Sequence, residues 1–402
     1  MVKKPVRSIV GAIDAAAIRW SAAGFAPRVR ARDAVSARTG YSLPTVEYAF
    51  DRLFGALRRD AIEAAIADEL GCLDVLDDFV ARTGRPRARA LPLGRVCVIA
   101  SRTTIGVAIV PAVFALCAKC DVLVKDREDH LVAAFFETLA GELPELRDIA
   151  NARPWQGDED ALDLAGFDAV VAFGSDDTLR RIAARLRFPT RLIAFGSKVS
   201  AGYVAREALC DDVAARTMAR GAARDLVLYE TEGCLSLHAL FVESGGAVSA
   251  ERFAEMLAEA IRSAAAEFAP KRDDASSAAR VAIARDLATF RGGARIVHSD
   301  PHAGYLAVVD PPLDEPPLFL PRAIGIRRVD RPSQAAQYFE RHGIELEALA
   351  VAGLREDLLE LAIRTKAARV VPFGMLQAPP FGGFHGGRAR IAEFVRWIAD
   401  ET

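Results

Sequence analysis

The stretch that decides the fold begins with RVCVIA at Arg95 and ends with RLIAF at Phe195. Short apolar runs typical of strands recur in it, namely RVCVIA (95–100), DVLVK (121–125), AVVAF (169–173) and RLIAF (191–195). Helical spacing predicts helices between them, over 107–118, 131–139 and 178–186. Strands that alternate with helices form a parallel, doubly wound α/β sheet, which binds ligands at the carboxyl ends of its strands.

Downstream of this stretch the pattern changes, and a second α/β domain is predicted to begin near residue 225. Residues 226–229 and 235–242 have strand character, and a long helix is predicted over 250–268. The predicted organisation is an N-terminal helical region (1–90), a first α/β domain (91–224), a second α/β domain (225–369), and a C-terminal Pro- and Gly-rich segment with a helix (370–402).

Composition is that of a soluble protein. The 402 residues are 51% hydrophobic and 26% charged, and 52 Lys+Arg against 54 Asp+Glu leave a net charge of −2, so nothing favours a nucleic-acid partner. The longest apolar stretch, 105–120, is shorter than the roughly 20 residues of a membrane span and contains Pro111 and Lys119. A buried helix and no membrane span are predicted. Residues 1–14 lack a secretory pattern, so a cytoplasmic location is expected.

Six cysteines in a chain of this length do not form a disulfide framework and indicate a reducing compartment. Cys117 and Cys120 form a CxxC pair, but no second pair or nearby His supplies the other ligands of a zinc site. Both lie in the apolar stretch. We expect them in the core and predict no metal site.

The segment YETEGCLSLHALFV (229–242) contains the candidate nucleophile. Cys234 directly follows Gly233 on a tight connection, where the glycine frees the backbone and neighbouring N–H groups could stabilise an oxyanion. The alternative is a structural cysteine. On an extended strand Ser236 and His238 share the face of Cys234, so His238 could lower the pKa of the thiol or protonate a leaving group. The alternative for His238 is a packed side chain.

The segment VAFGSDDTL (171–179) contains a candidate phosphate-binding turn. A strand leads through Gly174 and Ser175 into a helix, which Ser175 or Asp176 can cap, and the first N–H groups of such a helix can face a phosphate. An ordinary turn without ligand is the alternative. The usual dinucleotide fingerprint GxGxxG is absent.

The order of these segments resembles the aldehyde dehydrogenase superfamily. The stretch VVPFGMLQAPPFGGFHGGRARIAEFVRW (370–397), together with YETEGCLSLHALFVE, is similar to the fatty acyl-CoA reductases of bacterial bioluminescence, and the resemblance covers roughly 90–400. It implies an aldehyde dehydrogenase-like fold with a cofactor domain and a catalytic domain. By position it implies Cys234 as the catalytic thiol, Lys125 and Glu128 at a cofactor ribose, and Gly174 and Ser175 near the cofactor phosphates and nicotinamide.

Three positions depart from the family pattern. Thr103 stands where the family has the Asn of its oxyanion hole, and Ser101 or Thr104 are alternatives for that role. Ala194 replaces the Glu that activates water in the hydrolytic dehydrogenases, which favours acyl-thioester chemistry over oxidation of free aldehydes. Arg127 beside Glu128 leaves the choice between NADPH and NADH open, and the resemblance implies NADPH.

The resemblance therefore implies NAD(P)H-dependent reduction of an acyl thioester, on CoA or an acyl carrier, to an aldehyde through a thioacyl enzyme. It also implies a homo-oligomer. One alternative is a short-chain CoA-acylating aldehyde dehydrogenase. Others are a catalytically silent binding protein, which the Thr at position 103 would favour, and a cysteine acyltransferase without cofactor.

Overall fold

The computed structural model describes residues 4–101, 103–126, 130–154, 164–271, 275–291, 295–300, 305–353 and 355–402. The chain begins with four helices among these residues, α1 (Val6–Ser21), α2 (Ala26–Thr39), α3 (Leu43–Ala56) and α4 (Arg59–Leu70). Trp20 is fully buried between Phe50 of α3 and Phe135, with ring centroids 6.2 and 6.1 Å away. These contacts join the N-terminal helices to the core of the first α/β domain.

The first parallel sheet follows a short hairpin, β1 (Val80–Arg82) and β2 (Arg85–Pro92). The elements of this domain are β3 (Arg95–Ile99), α5 (Ile109–Cys117), β4 (Asp121–Asp126), α6 (Leu131–Glu142), β5 (Ala150–Pro154), β6 (Ala169–Phe173), α7 (Asp176–Ala183) and β7 (Arg191–Phe195). The strands pair in parallel in the order β5-β4-β3-β6-β7, which confirms the predicted alternation and adds β5. Strand order reverses between β3 and β6, so the loops that follow these two strands meet at one edge.

The second sheet forms the other domain. Its elements are β8 (Val199–Val204), α8 (Asp212–Val227), β9 (Leu237–Glu243), α9 (Ala250–Glu267), α10 (Ala275–Arg291), β10 (Arg295–Asp300), β11 (Tyr305–Val309), β12 (Ala323–Val329), α11 (Pro332–Arg341), β13 (Leu346–Ala352), α12 (Glu356–Arg364) and β14 (Arg369–Pro372). The strand order is β10-β11-β12-β9-β8-β13-β14, parallel except between β10 and β11. The predicted α/β class is confirmed.

The boundaries differ from those predicted in two places. The second sheet begins with β8, upstream of the predicted boundary at residue 225, and β8 lies between β9 and β13. The predicted strand over 226–229 is wrong, because these residues form the end of α8 and a 3-10 turn, Leu228–Thr231. A run of four apolar residues does not distinguish a strand from a buried helix end.

The C-terminal segment ends in a strand, β15 (Val395–Asp400), where a helix was predicted. Among the described residues of 370–402 no α-helix occurs. β15 pairs antiparallel with β2, with Val395 opposite Pro92 and Asp400 opposite Arg87. The partner strand, some three hundred residues upstream, decides this conformation, and local sequence does not reveal it.

Within the described part of the chain, no single helix is long and apolar enough to cross a membrane. Helices α1 and α2 have the length and apolar composition of a membrane span only when they are taken together, and the chain bends by 69° between them. The apolar stretch 105–120 forms α5 and its flanks, and Cys117 and Cys120 are fully buried there, as predicted.

Candidate active site

A cavity of about 530 Å³ lies where the carboxyl ends of β3, β6 and β7 face the turn before β9. This volume is within the range of small-molecule sites. Five of the predicted site residues line it, namely Thr103, Gly174, Ser175, Cys234 and His238. The structure therefore brings together segments that are far apart in the sequence.

The turn that carries Cys234 has an unusual backbone. Tyr229, Glu230 and Thr231 have φ angles of 58°, 55° and 58°, in the left-handed region that non-glycine residues rarely adopt. Thr231 Oγ1 donates a hydrogen bond to Leu226 O over 3.0 Å, which ties the turn back to the end of α8. The turn thus reverses the chain between α8 and β9 and places Cys234 at the cavity wall.

A buried ion pair supports this turn. Arg322 donates from Nε to Glu230 Oε2 over 2.8 Å and from Nη2 to Glu230 Oε1 over 2.6 Å. The Arg322 backbone N–H donates to Thr231 Oγ1 over 3.1 Å, and Lys271 N–H donates to Glu230 Oε1 over 3.2 Å. Burial raises the pKa of Glu230, and the Arg322 charge opposes that rise. Tyr229 O also accepts a hydrogen bond from Tyr41 Oη over 3.4 Å, so all three left-handed residues are held by partners far away in the sequence.

The Cys234 thiol is half-buried and protonated at neutral pH. Burial, and secondarily the charge of Glu347, raises its pKa to about 12. The backbone N–H groups of Cys234 and Leu235 and the charge of Arg369 act in the opposite direction. Ser200 Oγ donates to Cys234 O over 2.8 Å and fixes the backbone of the residue. The same N–H groups can stabilise negative charge when a thiolate or oxyanion forms.

His238 lies in the cavity wall as a neutral imidazole. Burial lowers its pKa to about 4, and hydrogen bonds to the carbonyls of Ser236 and Thr231 only partly oppose this. Nδ1 is 2.6 Å from Ser236 O and donates to it, and the ring lies 5.7 Å from that of Phe319. A neutral ring provides no positive charge for a thiolate. This geometry supports the packed alternative for His238.

The loop after β3 offers two candidate oxyanion donors. Thr103 Oγ1 is 3.3 Å from Ser101 Oγ, and Thr103 O accepts a hydrogen bond from Tyr41 Oη over 3.2 Å. Thr104 Oγ1 lies against the turn that carries Cys234, 3.3 Å from the position that a Cβ on Gly233 would occupy. Both threonines line the cavity, and Thr104 is the one whose hydroxyl lies beside Gly233 in the turn of the candidate nucleophile.

The strand ends of the first sheet form the side of the cavity predicted to hold the cofactor. Ser175 Oγ accepts from Thr178 N over 3.3 Å and caps α7, as predicted. Asp176 Oδ1 accepts from Ser197 N over 2.8 Å, and Asp177 pairs with Arg180 and Arg181. The carboxylates of the first turn of α7 thus have partners of their own.

Of the two residues that the resemblance implies at a cofactor ribose, the structure describes only Lys125. Lys125 lies near the end of β4, opposite Ile99, and is not among the residues that line the cavity. Glu128 lies outside the described residues. The strand-end position, the capped Gly-Ser turn and the bare backbone of Gly174 and Gly196 fit a nicotinamide nucleotide.

The sequence analysis did not identify the charged residues of the cavity wall. Glu347 is buried, accepts hydrogen bonds from Gly386 N at 2.9 and 3.0 Å, and has its pKa raised by burial. Lys198, Arg369 and Arg390 face it and oppose that rise. The one clue in the sequence was a Glu inside the otherwise apolar strand LEALAVA (346–352). The other three residues come together only through the strand order.

His385 also lies in this part of the cavity. Its ring centroid is 4.6 Å from that of Phe195 and 5.6 Å from that of Phe173, and these two phenylalanine rings stack at 4.7 Å. Burial lowers the pKa of His385 to about 3, with a contribution from the neighbouring arginines. His385 is therefore a neutral side chain that orders the tail against the strand ends. Among the described residues, no group of three or more His, Cys, Asp or Glu is placed to hold a metal ion.

The fold is that of the aldehyde dehydrogenases. The chain superimposes with a TM-score of 0.75 on an oxidoreductase from Marinobacter aquaeolei, at 14% identity over 99% of this chain and 86% of that one. It superimposes at 0.70 on an NAD-dependent benzaldehyde dehydrogenase from Corynebacterium glutamicum, at 16% identity over 99% and 85% of the two chains. Aldehyde dehydrogenase 21 from Physcomitrella patens gives 0.69 at 11% identity, over 99% and 85%. Identities this low show the fold alone.

The sequence identifies the family. The family model of acyl-CoA reductase (LuxC) matches residues 1–397, and the chain belongs to this family. Among curated proteins, none matches the sequence. The resemblance to acyl-CoA reductases is confirmed and includes the first ninety residues, which the sequence motifs matched only loosely. The protein is an oxidoreductase that reduces an acyl thioester to an aldehyde with a nicotinamide cofactor.

Proposed function

We propose that Cys234 is the nucleophile of this reduction and that NADPH is the preferred cofactor, with acyl-CoA as the thioester. One observation carries the proposal: among the described cysteines, Cys234 alone lines the cavity that the strand ends and the catalytic turn enclose. Cys97, Cys117 and Cys120 are fully buried, and burial raises their pKa to about 11 or 12.

The residues of this chain have distinct tasks in the proposed reaction. The Cys234 sulfur attacks the thioester carbonyl and expels the carrier thiol, which takes up the thiol proton. The N–H groups near Cys234, with a Thr hydroxyl from the loop after β3, stabilise the oxyanion that forms. A nicotinamide held at the turn of Gly174 and Ser175 would supply the hydride for reduction of the acyl group on Cys234. Breaking of the bond between the Cys234 sulfur and the reduced carbon then releases the aldehyde, and the Cys234 thiolate takes up a proton from water.

Ala194 explains why the acyl group is not lost to water. Ala194 lines the cavity beside Phe195. By the resemblance, the hydrolytic aldehyde dehydrogenases have a Glu at this position. Without a carboxylate at this place, water lacks the general base that would activate it. The acyl group on Cys234 therefore persists until it is reduced. This supports thioester reduction over oxidation of free aldehydes.

The preference for NADPH, the use of CoA rather than a carrier protein, a homo-oligomeric state and a cytoplasmic location belong to the same proposal. The preference for NADPH follows from the resemblance to the bioluminescence reductases. The oligomer follows from the superfamily. Oxidation of NADPH and NADH in parallel, with acyl-CoA and acyl-carrier substrates, tests the first two.

The decisive experiment compares Cys234→Ala with Cys210→Ala, which removes an exposed cysteine outside the cavity. Cys234→Ala should lower NADPH oxidation with acyl-CoA by at least about three orders of magnitude while the Kd for NADPH stays unchanged. Cys210→Ala should retain wild-type turnover. Full activity in Cys234→Ala would show that another group attacks the thioester.

A further inference from the structure

One face of helix α3 lines the cavity, although this helix belongs to the N-terminal region. Ala49, Arg52, Leu53 and Ala56 contribute, and their spacing places them on a single side of the helix. Arg52 is exposed at the rim. Of the apolar residues on this face, Leu53 has the only large side chain, between two alanines.

Leu53 packs against the loop after β3, and both line the cavity. Gly106 has φ of 72°, and a Cβ on it would collide with Leu53 Cδ2. The Leu53 side chain therefore closes directly on the backbone of Gly106. Gly106 is two residues from Thr104, which lies beside Gly233 of the catalytic turn, so at most about 8 Å of chain separates the two contacts.

This arm of the cavity is apolar, in contrast to the opposite side. Its further walls are aliphatic or aromatic side chains, those of Ile105, Val107, Val110, Pro111, Phe381 and Phe384. Phe381 is held by a stacked contact with Phe114, at 4.6 Å and 19°. Two charged side chains also line the cavity near this arm, the exposed Arg52 of α3 and Glu232 beside Gly233. The other four charged lining residues lie elsewhere: Lys198 in the β7–β8 connection, Glu347 on β13, Arg369 on β14 and Arg390 in the tail. An aliphatic chain gains by leaving water in the apolar arm.

We propose that the apolar arm holds the acyl chain and that Leu53 determines the chain length the enzyme accepts. The inference rests on the proposed function, since it places the acyl carbonyl at Cys234. From there an aliphatic chain enters between α3 and the loop that carries Gly106. Leu53 occupies the space that the distal carbons of a longer chain require. Ala49 and Ala56 leave room on both sides of it.

The test is the chain-length profile of kcat/KM for acyl-CoA substrates in Leu53→Ala and Ala56→Leu. Leu53→Ala should shift the optimum to longer chains, with a gain of at least about tenfold for the longer chain relative to the wild-type optimum. Ala56→Leu should shift the optimum to shorter chains, because the added side chain fills the arm. Leu43→Ala, an exposed leucine of the same helix outside the cavity, should leave the profile unchanged.

A second measurement separates this inference from the proposed function. Dissociation constants of S-alkyl-CoA thioethers, which have no carbonyl to attack, report the fit of the chain without turnover. If wild-type enzyme reduces acyl-CoA and neither variant shifts its profile or its thioether affinities, Leu53 does not set the chain length. If no acyl-CoA is reduced but the thioether affinities shift as expected, the apolar arm binds the acyl chain and the proposed reaction is wrong. If the thioether affinities of both variants equal those of the wild type, the proposal that the apolar arm holds the acyl chain is wrong, whether or not turnover occurs.

Discussion

Gln377 donates a hydrogen bond from Nε2 to Ser236 Oγ over 3.0 Å, in a fully buried site two residues from Cys234. Gln377 lies in a turn that is held from α8, where Asp225 accepts hydrogen bonds from Gly374 N at 2.6 Å and Leu376 N at 3.1 Å. The C-terminal segment, α8 and the catalytic turn are thus connected through buried polar contacts. This network makes the C-terminal segment part of the site.

The Asp225 carboxyl should make stability depend on pH. Burial raises its pKa to about 7, despite three backbone N–H donors, so between pH 4 and 7 the folded protein holds a proton that the unfolded chain releases. The stability from this group is complete below about pH 4 and is lost as the pH rises through 7. Wild type should lose thermal stability relative to Asp225→Asn as the pH rises from 5 to 8, because the side chain of the variant stays uncharged at every pH. A wild type that gains stability relative to the variant over this pH range would contradict the raised pKa.

The two threonines after β3 can be separated by isosteric substitution. Because Thr104 Oγ1 lies against Gly233 while Thr103 Oγ1 faces Ser101, Thr104→Val should lower kcat by about 10²-fold and Thr103→Val by less than about tenfold. Single-turnover kinetics with acyl-CoA measure both. The reverse order would assign the oxyanion donor to Thr103, as the resemblance implies.

His238 should not titrate in the range where the enzyme works. With a pKa of about 4, it stays neutral from pH 6 to 8. The dependence of kcat/KM on pH in this range should therefore have the same shape in wild type and His238→Gln, although the variant loses the ring contact with Phe319 and some activity. An acidic limb near pH 6.5 that vanishes in the variant would show that the imidazole takes part in proton transfer.

Position 194 should control the competition between reduction and hydrolysis. Ala194→Glu places a carboxylate in the cavity wall and should give the acyl enzyme a base that activates water. With acyl-CoA and no cofactor, the variant should release free fatty acid and CoA faster than wild type. Ala194→Gln has similar size without the base and is the control. Equal hydrolysis in the two variants would remove the explanation offered for Ala194.

The central strands of the first sheet, β3 and β6, could be predicted from sequence because they are buried along nearly their whole length and read as continuous apolar runs. β8 could not, since VSAGYV (199–204) mixes Ser, Gly and Tyr with small apolar residues and is recognisable only beside β9 and β13. The strand β15 was not predicted for a similar reason, because the strand with which it pairs, β2, lies far away in the sequence. Elements that depend on distant pairing carry little local information.

The same distinction applies to the site. The Gly-Cys turn and the Gly-Ser turn are local features, and the sequence predicted both. Glu347 and Arg369 become neighbours of Cys234 only because β13 and β14 extend the sheet that contains β9. The contact between Leu53 and Gly106 likewise depends on how α3 packs on the first domain. Residues that shape the substrate arm were therefore outside the reach of motif analysis.

The three left-handed residues before Cys234 have a consequence for the cost of catalysis. Each such conformation costs about 1–2 kcal/mol, and the contacts of Glu230 and Thr231 with Arg322 offset that cost during folding. The sulfur and its neighbouring N–H groups are consequently oriented before any substrate arrives. Substrate binding energy then need not be used to order the attacking group, and the entropic part of the barrier is met once, when the chain folds.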